Sequence, residues 1–183
     1  MASRKVFPFL VLALCLITVT AHAFQASLTI PSKGTIGSSL ASAPDFTATD
    51  IDGNAIVLSG FRGNVVVLDF MTKWCGACWV KIDGVLIPFW NEYKSKAVVM
   101  ISICWEASAQ ELIELRQQHP GMDWYAISDP DASSIKSLYP ISVTPTVIVV
   151  DKVGCIRTEG LPSYSPNLTL EQLKNCVDGL LAE

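Results

Sequence analysis

Three stretches of the chain, residues 65–70, 97–103 and 146–150, consist almost entirely of apolar side chains. Uninterrupted runs of this length are typical of strands that are covered on both faces of a sheet. Between the first two runs, apolar residues recur at helical spacing over residues 80–90, where we expect Pro88 to kink the helix. The order of strand, helix and strand predicts a parallel β-α-β unit at the centre of the fold.

Shorter patterns place further elements around this unit. Weak alternation over residues 45–58 predicts a β-hairpin. Ser108 with Glu111, and Thr169 with Gln172, have the spacing of capping boxes that open helices. A further helix and two strands are predicted at residues 131–139, 124–127 and 155–159, the last antiparallel to the strand at 146–150. Together these elements predict an α/β fold with a central mixed sheet flanked by helices, an N-terminal β-hairpin and a central helical insertion.

The first part of the chain has a different character. Arg4 and Lys5 precede an apolar run over residues 6–19, and the small-residue sequence Ala21-His22-Ala23 follows it. This order is typical of a secretory signal peptide that is cleaved after the last of these alanines. The alternative is an uncleaved anchor over residues 6–26, which would attach the protein to a membrane.

The expected domain organisation follows from this signal. We expect a signal peptide at residues 1–23, a flexible leader at residues 24–42 and a single domain at residues 43–183. Export would place the domain outside the cytoplasm, periplasmic or secreted, where disulfide chemistry is permitted. Cleavage removes two basic residues and no acidic residue, so the formal net charge changes from −4 to −6. Because a domain this acidic repels nucleic acid, we predict no nucleic-acid partner.

The chain contains six cysteines, and five of them follow the predicted signal. Five are too few for a disulfide-stapled scaffold of this length, and an odd number leaves at least one thiol without a partner inside the chain. Cys104 is expected as buried filler or as a third redox thiol, and Cys155 could pair with it. Cys176 lies on the apolar stripe of the last helix and is expected in the core.

Cys75 and Cys78 stand two residues apart where a predicted strand passes into a predicted helix. At that junction their sulfur atoms can close a small ring. The first cysteine then lies at the helix N-terminus, where unpaired N–H groups and the helix dipole favour a thiolate. The pattern predicts thiol–disulfide exchange, with Cys75 as the nucleophile and Cys78 as the resolving cysteine.

Other uses of this pair fit the neighbouring residues less well. A c-type haem needs a histidine after the second cysteine, and Trp79 is there instead. Structural zinc needs four ligands, of which one C-x-x-C supplies two; the second ligand pair is missing, and His119 is the only histidine of the mature chain. A peroxidase of the peroxiredoxin kind would explain Thr72, three residues before the first cysteine, but needs a proline where Leu68 stands. A structural disulfide closes a loop too small to constrain the unfolded chain much. A thiol-based metal carrier or a non-catalytic binding module stays open, and we predict no resident metal and no cofactor.

Four stretches resemble the TlpA/ResA-like thiol–disulfide oxidoreductases of the thioredoxin-like superfamily. They are the entry hairpin at residues 43–63, the strand and C-x-x-C motif at 69–78, the helical insertion at 108–139 and the sequence Val143-Thr144-Pro145-Thr146. The resemblance covers residues 43–182 and implies a thioredoxin fold. It also implies an enzyme that reduces disulfides in exported proteins and receives electrons from a membrane thiol donor. A disulfide oxidase or isomerase is the alternative.

The resemblance also assigns roles to residues outside the dithiol. It implies a cis Pro145 facing the cysteines, with the Thr144 backbone offering hydrogen bonds to an extended substrate. Trp74 is expected beside the dithiol or, failing that, in the core. Glu106 falls near a functional glutamate of these proteins but could be an exposed acid at a helix entry. Asp69 matches a buried aspartate of thioredoxins, which implies a proton acceptor for the resolving cysteine with a pKa raised by desolvation; the alternative is a hydrogen-bonded acid at a strand end.

Overall fold

The computed structural model describes residues 41–157, 161 and 167–183. The predicted signal and nearly all of the predicted leader lie outside these residues, as does the end of the strand predicted at 155–159. Across the described part of the chain, no helix is both long enough and apolar enough to cross a membrane.

The strands form a hairpin and a larger mixed sheet. The hairpin pairs β1 (Thr47–Thr49) with β2 (Ala55–Val57) in antiparallel orientation. The central sheet contains β3 (Val65–Thr72), β4 (Val98–Trp105), β5 (Tyr125–Ile127), β6 (Thr146–Val150) and β7 (Ile156–Arg157). Its order is β5-β4-β3-β6-β7, with β3, β4 and β5 parallel and each later strand antiparallel to its neighbour. The predicted hairpin and mixed sheet are confirmed.

Five α-helices surround the sheet in the described residues. They are α1 (Gly76–Lys81), α2 (Ile87–Tyr93), α3 (Ala109–Gln118), α4 (Asp131–Leu138) and α5 (Leu170–Ala182). A π-helical turn, Ile82–Leu86, joins the first two without a break. The helix is therefore irregular just before Pro88, where we expected a kink at Pro88 itself. Pro88 lies in the first turn of α2, where a missing N–H is tolerated. Both predicted capping boxes are present at the starts of α3 and α5.

Several predicted boundaries are wrong by one or two residues, and local contacts explain them. The first strand starts at Thr47 because the Asp45 carboxylate accepts the N–H groups of Phe46 and Ser59 at 3.1 and 2.8 Å. In the centre, β3 and β4 each run two residues further than the apolar pattern indicates, because their parallel pairing continues to Thr72 opposite Trp105. The active-site segment therefore leaves the sheet from the end of a long, fully paired strand.

The residues of β3 alternate between two cores on opposite faces of the sheet. Val67 and Met71 belong to the core that also contains residues of α1, the π-helical turn, α2 and α5, including Cys78 and Ile82. Leu68 and its alternating neighbours belong to the core shared with the hairpin and α4. By the same alternation, Asp69 points to the face covered by α1. The fold thus puts a carboxyl group under the helix that carries the cysteines.

The capping box at the start of α5 gives a direct test of this fold. We expect Thr169→Ala to lower the free energy of unfolding by about 1 kcal/mol, because the Thr169 hydroxyl accepts the N–H of Gln172 at 3.2 Å. Thr169→Ser retains the hydroxyl and is the control. Urea unfolding of the three proteins measures the effect, and equal midpoints for the alanine variant and the original chain would contradict it.

Candidate active site

The two cysteines of the C-x-x-C motif form a disulfide, with Cα atoms 5.2 Å apart. Cys75 is the N-cap of α1, and its sulfur accepts the backbone N–H of Cys78 at 3.1 Å. Cys75 is half-buried, whereas Cys78 is only 1% exposed. A sulfur atom from another protein can therefore reach Cys75 and not Cys78.

The start of the helix provides a favourable environment for charge on Cys75. The helical segment continues without a break from Gly76 to Tyr93, and its first turn contains no acidic residue. The partial positive charge of its N-terminus, together with the N–H group that points at the Cys75 sulfur, stabilises a thiolate there once the disulfide is reduced.

Asp69 lies inside the protein, 1% exposed, on the sheet face beneath α1. Its Oδ2 accepts a hydrogen bond from the Ser102 hydroxyl at 3.0 Å, and Ser102 Oγ in turn accepts one from the Trp124 indole at 2.9 Å. Burial raises the pKa of Asp69 to about 7, against the opposing effects of Ser102 and of the positive charge of Lys81. A carboxyl group with this pKa exchanges its proton near neutrality.

Lys81 was missed by the sequence analysis. Its side chain is buried, and its Nζ donates a hydrogen bond to the Leu168 carbonyl at 2.7 Å. Burial lowers the pKa of Lys81, and the charge of Asp69 opposes this shift. Its position three residues after Cys78, and next to the core residue Ile82, was the available signal, because residues three apart share one helix face.

The other cysteines do not extend the dithiol. Cys104 is fully buried, and burial, reinforced by the charge of Asp69, raises the pKa of its thiol to about 12. It therefore stays protonated and unreactive, as the filler interpretation requires. No disulfide joins it to Cys155, which instead makes a β-bridge with Ser42. Cys176 is partly buried and packs against the core from its edge, on the apolar stripe of α5.

Trp74 is 76% exposed, so its interpretation as a core residue is wrong. It stands directly before the disulfide, with the Lys73 ammonium 4.7 Å from the centre of its ring. Lys73 also forms an ion pair with Glu111 of α3 at 2.6 Å. In α1, the Trp79 indole N–H donates a hydrogen bond to the Lys73 carbonyl at 3.2 Å, and the Trp79 ring stacks on the His119 ring. These contacts connect the segment before the cysteines to the helical insertion.

The remaining predicted residues lie where their strands end. The Thr144–Pro145 peptide bond is cis, with Pro145 buried and Thr144 half-buried just before β6. Glu106 follows β4 and leaves the sheet at the same edge as the cysteine segment, because Thr72 pairs with Trp105. It is exposed, has a φ of 62°, and its backbone N–H donates to Asp129 at 2.6 Å. Among the described residues, its carboxylate makes no hydrogen bond or ion pair, and a functional role for Glu106 stays a prediction.

Within residues 41–157, 161 and 167–183, no group of three or more His, Cys, Asp or Glu side chains could hold an ion.

Three comparisons place the chain among known proteins. It is 27% identical over 161 residues to the thiol-disulfide oxidoreductase ResA of Bacillus thuringiensis subsp. konkukian, covering 86% of this chain and 87% of that protein. The fold is similar to that of a thiol:disulfide interchange protein of the thioredoxin family from Chlorobium tepidum. The TM-score is 0.66 and the identity 16%, with coverage of 78% of this chain and 97% of that chain. The fold is also similar to a secreted Mycobacterium tuberculosis disulfide oxidoreductase that is homologous to DsbE of E. coli. Here the TM-score is 0.62 and the identity 21%, with coverage of 74% of this chain and 96% of that chain.

The two structural neighbours confirm the thioredoxin fold. The model of the Redoxin family matches residues 39–176, which is most of the chain. The chain belongs to the Redoxin family, and within it to the thiol–disulfide oxidoreductases.

Proposed function

We propose that this protein is an exported oxidoreductase that reduces disulfides of other exported proteins through Cys75 and Cys78. The observation that carries the proposal is the pairing of a reachable Cys75 with a buried Cys78 at the start of a helix that covers Asp69. Export rests on the predicted signal at residues 1–23, ahead of a leader at 24–42 and a domain at 43–183, and one structural neighbour is described as secreted. An oxidised protein outside the cytoplasm needs new electrons, for which a membrane thiol donor is the proposed source.

The first step is attack on the substrate. The Cys75 thiolate forms a bond to one sulfur atom of a substrate disulfide, and the second substrate sulfur leaves as a thiolate that takes up a proton. The product is a mixed disulfide between Cys75 and the substrate. In the proposed site, the exposed indole of Trp74, next to Cys75 in sequence, and the backbone of Thr144 before the cis Pro145 would contact the substrate chain.

The second step releases the substrate. The buried Cys78 thiol gives its proton to the Asp69 carboxylate and, as a thiolate, attacks the Cys75 sulfur. The Cys75–Cys78 bond forms, the bond to the substrate breaks, and the reduced substrate leaves with a proton. Two electrons pass from the dithiol to the substrate. The same steps in reverse would make the protein an oxidant.

Separate variants of the two cysteines test their assigned roles. We expect Cys78→Ser to accumulate a mixed disulfide with a disulfide-containing protein substrate such as insulin, because attack by Cys75 remains and resolution is lost. Cys75→Ser is the matched control and should accumulate none. Non-reducing electrophoresis and mass spectrometry measure the adduct, and trapping by Cys75→Ser instead would reverse the assignment.

Replacement of the proposed base tests the second step. We expect Asp69→Asn to slow resolution of the mixed disulfide about a hundredfold at neutral pH, because general-base assistance is lost. In the unmodified protein the carboxylate is present above its pKa of about 7, so the rate should rise with pH through that value and the variant should lack this rise. Rapid-quench kinetics measure both, and an unchanged profile would remove Asp69 from the mechanism.

A stability measurement separates this effect from misfolding. The folded pKa of Asp69 lies above the unfolded value of 3.8, so the native state loses stability as pH rises from the lower value to about 7. Asp69→Asn should therefore resist urea better than the unmodified protein above neutral pH. A slow variant that is also less stable there would point to disruption of the fold.

The reduction potential of the dithiol decides the direction of electron flow. We expect a value close to that of thioredoxin, about −270 mV, because the proposed activity is reductive. Equilibration with glutathione or dithiothreitol buffers measures it. A value near about −120 mV would instead identify an oxidant.

A further inference from the structure

The buried Lys81 has no part in the mechanism described so far. It is 4% exposed, and among the described residues no carboxylate lies within hydrogen-bonding or ion-pairing distance of its ammonium. Its hydrogen bond goes to the backbone carbonyl of Leu168, ahead of α5. A buried ammonium without an ion pair is costly, so this lysine needs a physical explanation.

Its location relates it to the proposed proton acceptor. Cys78 and Ile82 belong to the core between this helical segment and the sheet, and Lys81 is buried three residues after Cys78, one helical turn away. Asp69 points toward the same layer from β3, between Val67 and Met71 of that core. The Asp69 and Lys81 charges act on each other in this desolvated layer, where charge–charge interactions are stronger than in water.

We infer that Lys81 is a positioning residue of the resolving step, whose ammonium, held by the Leu168 carbonyl, keeps the Asp69 carboxylate ionised so that it can take the proton of Cys78. This inference rests on the proposed function, in which Asp69 is that proton acceptor. The electrons and protons of the step are unchanged: Lys81 transfers neither and acts only through its charge.

Three ionisable groups at and near the end of β4 keep their charge state near neutrality. On β4, burial raises the pKa of Cys104 to about 12, so it stays neutral. Glu111 of α3 is paired with Lys73 and has its pKa lowered to about 2, and hydrogen bonds hold the pKa of Asp129 below its usual value. The change of charge near pH 7 therefore belongs to Asp69, and Lys81 is the buried cation whose charge acts on it.

The shape of the site allows an uncharged replacement. The stem of Lys81 lines a surface cavity of about 360 Å³ together with Ala77, Val80, Gly84, Val85 and Leu168. A methionine has similar length and suits this apolar surrounding, and replacement of a buried charge by an apolar side chain is often neutral for stability. Lys81→Met should therefore fold, and Lys81→Gln offers a second uncharged side chain that can still donate to the Leu168 carbonyl.

The test is the pH profile of resolution of the Cys75–glutathione mixed disulfide, followed by acid quench and mass spectrometry. We expect Lys81→Met and Lys81→Gln to move the midpoint of the profile upward by about one pH unit. At pH values below the original midpoint their rates should be about tenfold lower than that of the unmodified protein, while the plateau at high pH is unchanged. Lys81→Arg keeps the charge and should keep the midpoint. Lys174→Met removes a surface lysine that pairs with Glu92 and is the matched control.

The double variant Asp69→Asn/Lys81→Met separates the possible failures. If Lys81 acts through Asp69, the double variant should behave as Asp69→Asn alone. If Asp69→Asn removes the rise near pH 7 but both uncharged variants keep the original midpoint, the inference about Lys81 is overturned and the proposed function stands. If Asp69→Asn leaves the profile unchanged, the role of Asp69 and the inference about Lys81 fall together.

Discussion

The burial of one carboxyl group in the sheet is the constraint on which the rest of the site depends. Asp69 interrupts an otherwise apolar strand that is covered on both faces, and an isolated charge in that place is costly. The Ser102 hydroxyl and the charge of Lys81 reduce the cost, but not enough to restore an ordinary pKa. What results is a group with a pKa of about 7, which can accept and release a proton at neutral pH beneath the helix of the cysteines.

The same packing explains the different roles that we propose for two chemically identical cysteines. Cys75 caps the helix from outside, where it meets both solvent and the unpaired N–H groups of the first turn. Cys78 lies one turn further along, on the face that packs against β3, so it can reach only Cys75 and needs an internal proton acceptor. Because one helical turn leads from the surface to the core, two intervening residues are enough to leave one cysteine accessible and the other buried.

Much of this arrangement could be predicted from the sequence, because its strongest signals are physical ones. Long apolar runs predict strands buried on both faces, and the residue pairs Ser108–Glu111 and Thr169–Gln172 predict helix starts, all of which are confirmed. Asp69 stood out as a polar residue in such a run. Lys81 did not, because a lysine in an amphipathic helix is normally exposed, and only the packing of α1 and the Leu168 carbonyl bury it. The exposure of Trp74 could not be predicted either, since it depends on how the segment after β3 leaves the sheet.

The charges around the dithiol also bear on the direction of electron flow. A thiol pair becomes a strong oxidant when its reduced form is unusually stabilised, chiefly through a thiolate held by positive charge. Here the nearest basic side chain in sequence, Lys73, is engaged by the Glu111 carboxylate at 2.6 Å and lies over the Trp74 ring. The positive charge of Lys81 is compensated by the negative charge of Asp69. A carboxylate beneath Cys78 also disfavours a second negative charge on the Cys78 sulfur. Stabilisation of the reduced form is thus left mainly to the helix N-terminus, which supports a reducing rather than an oxidising dithiol.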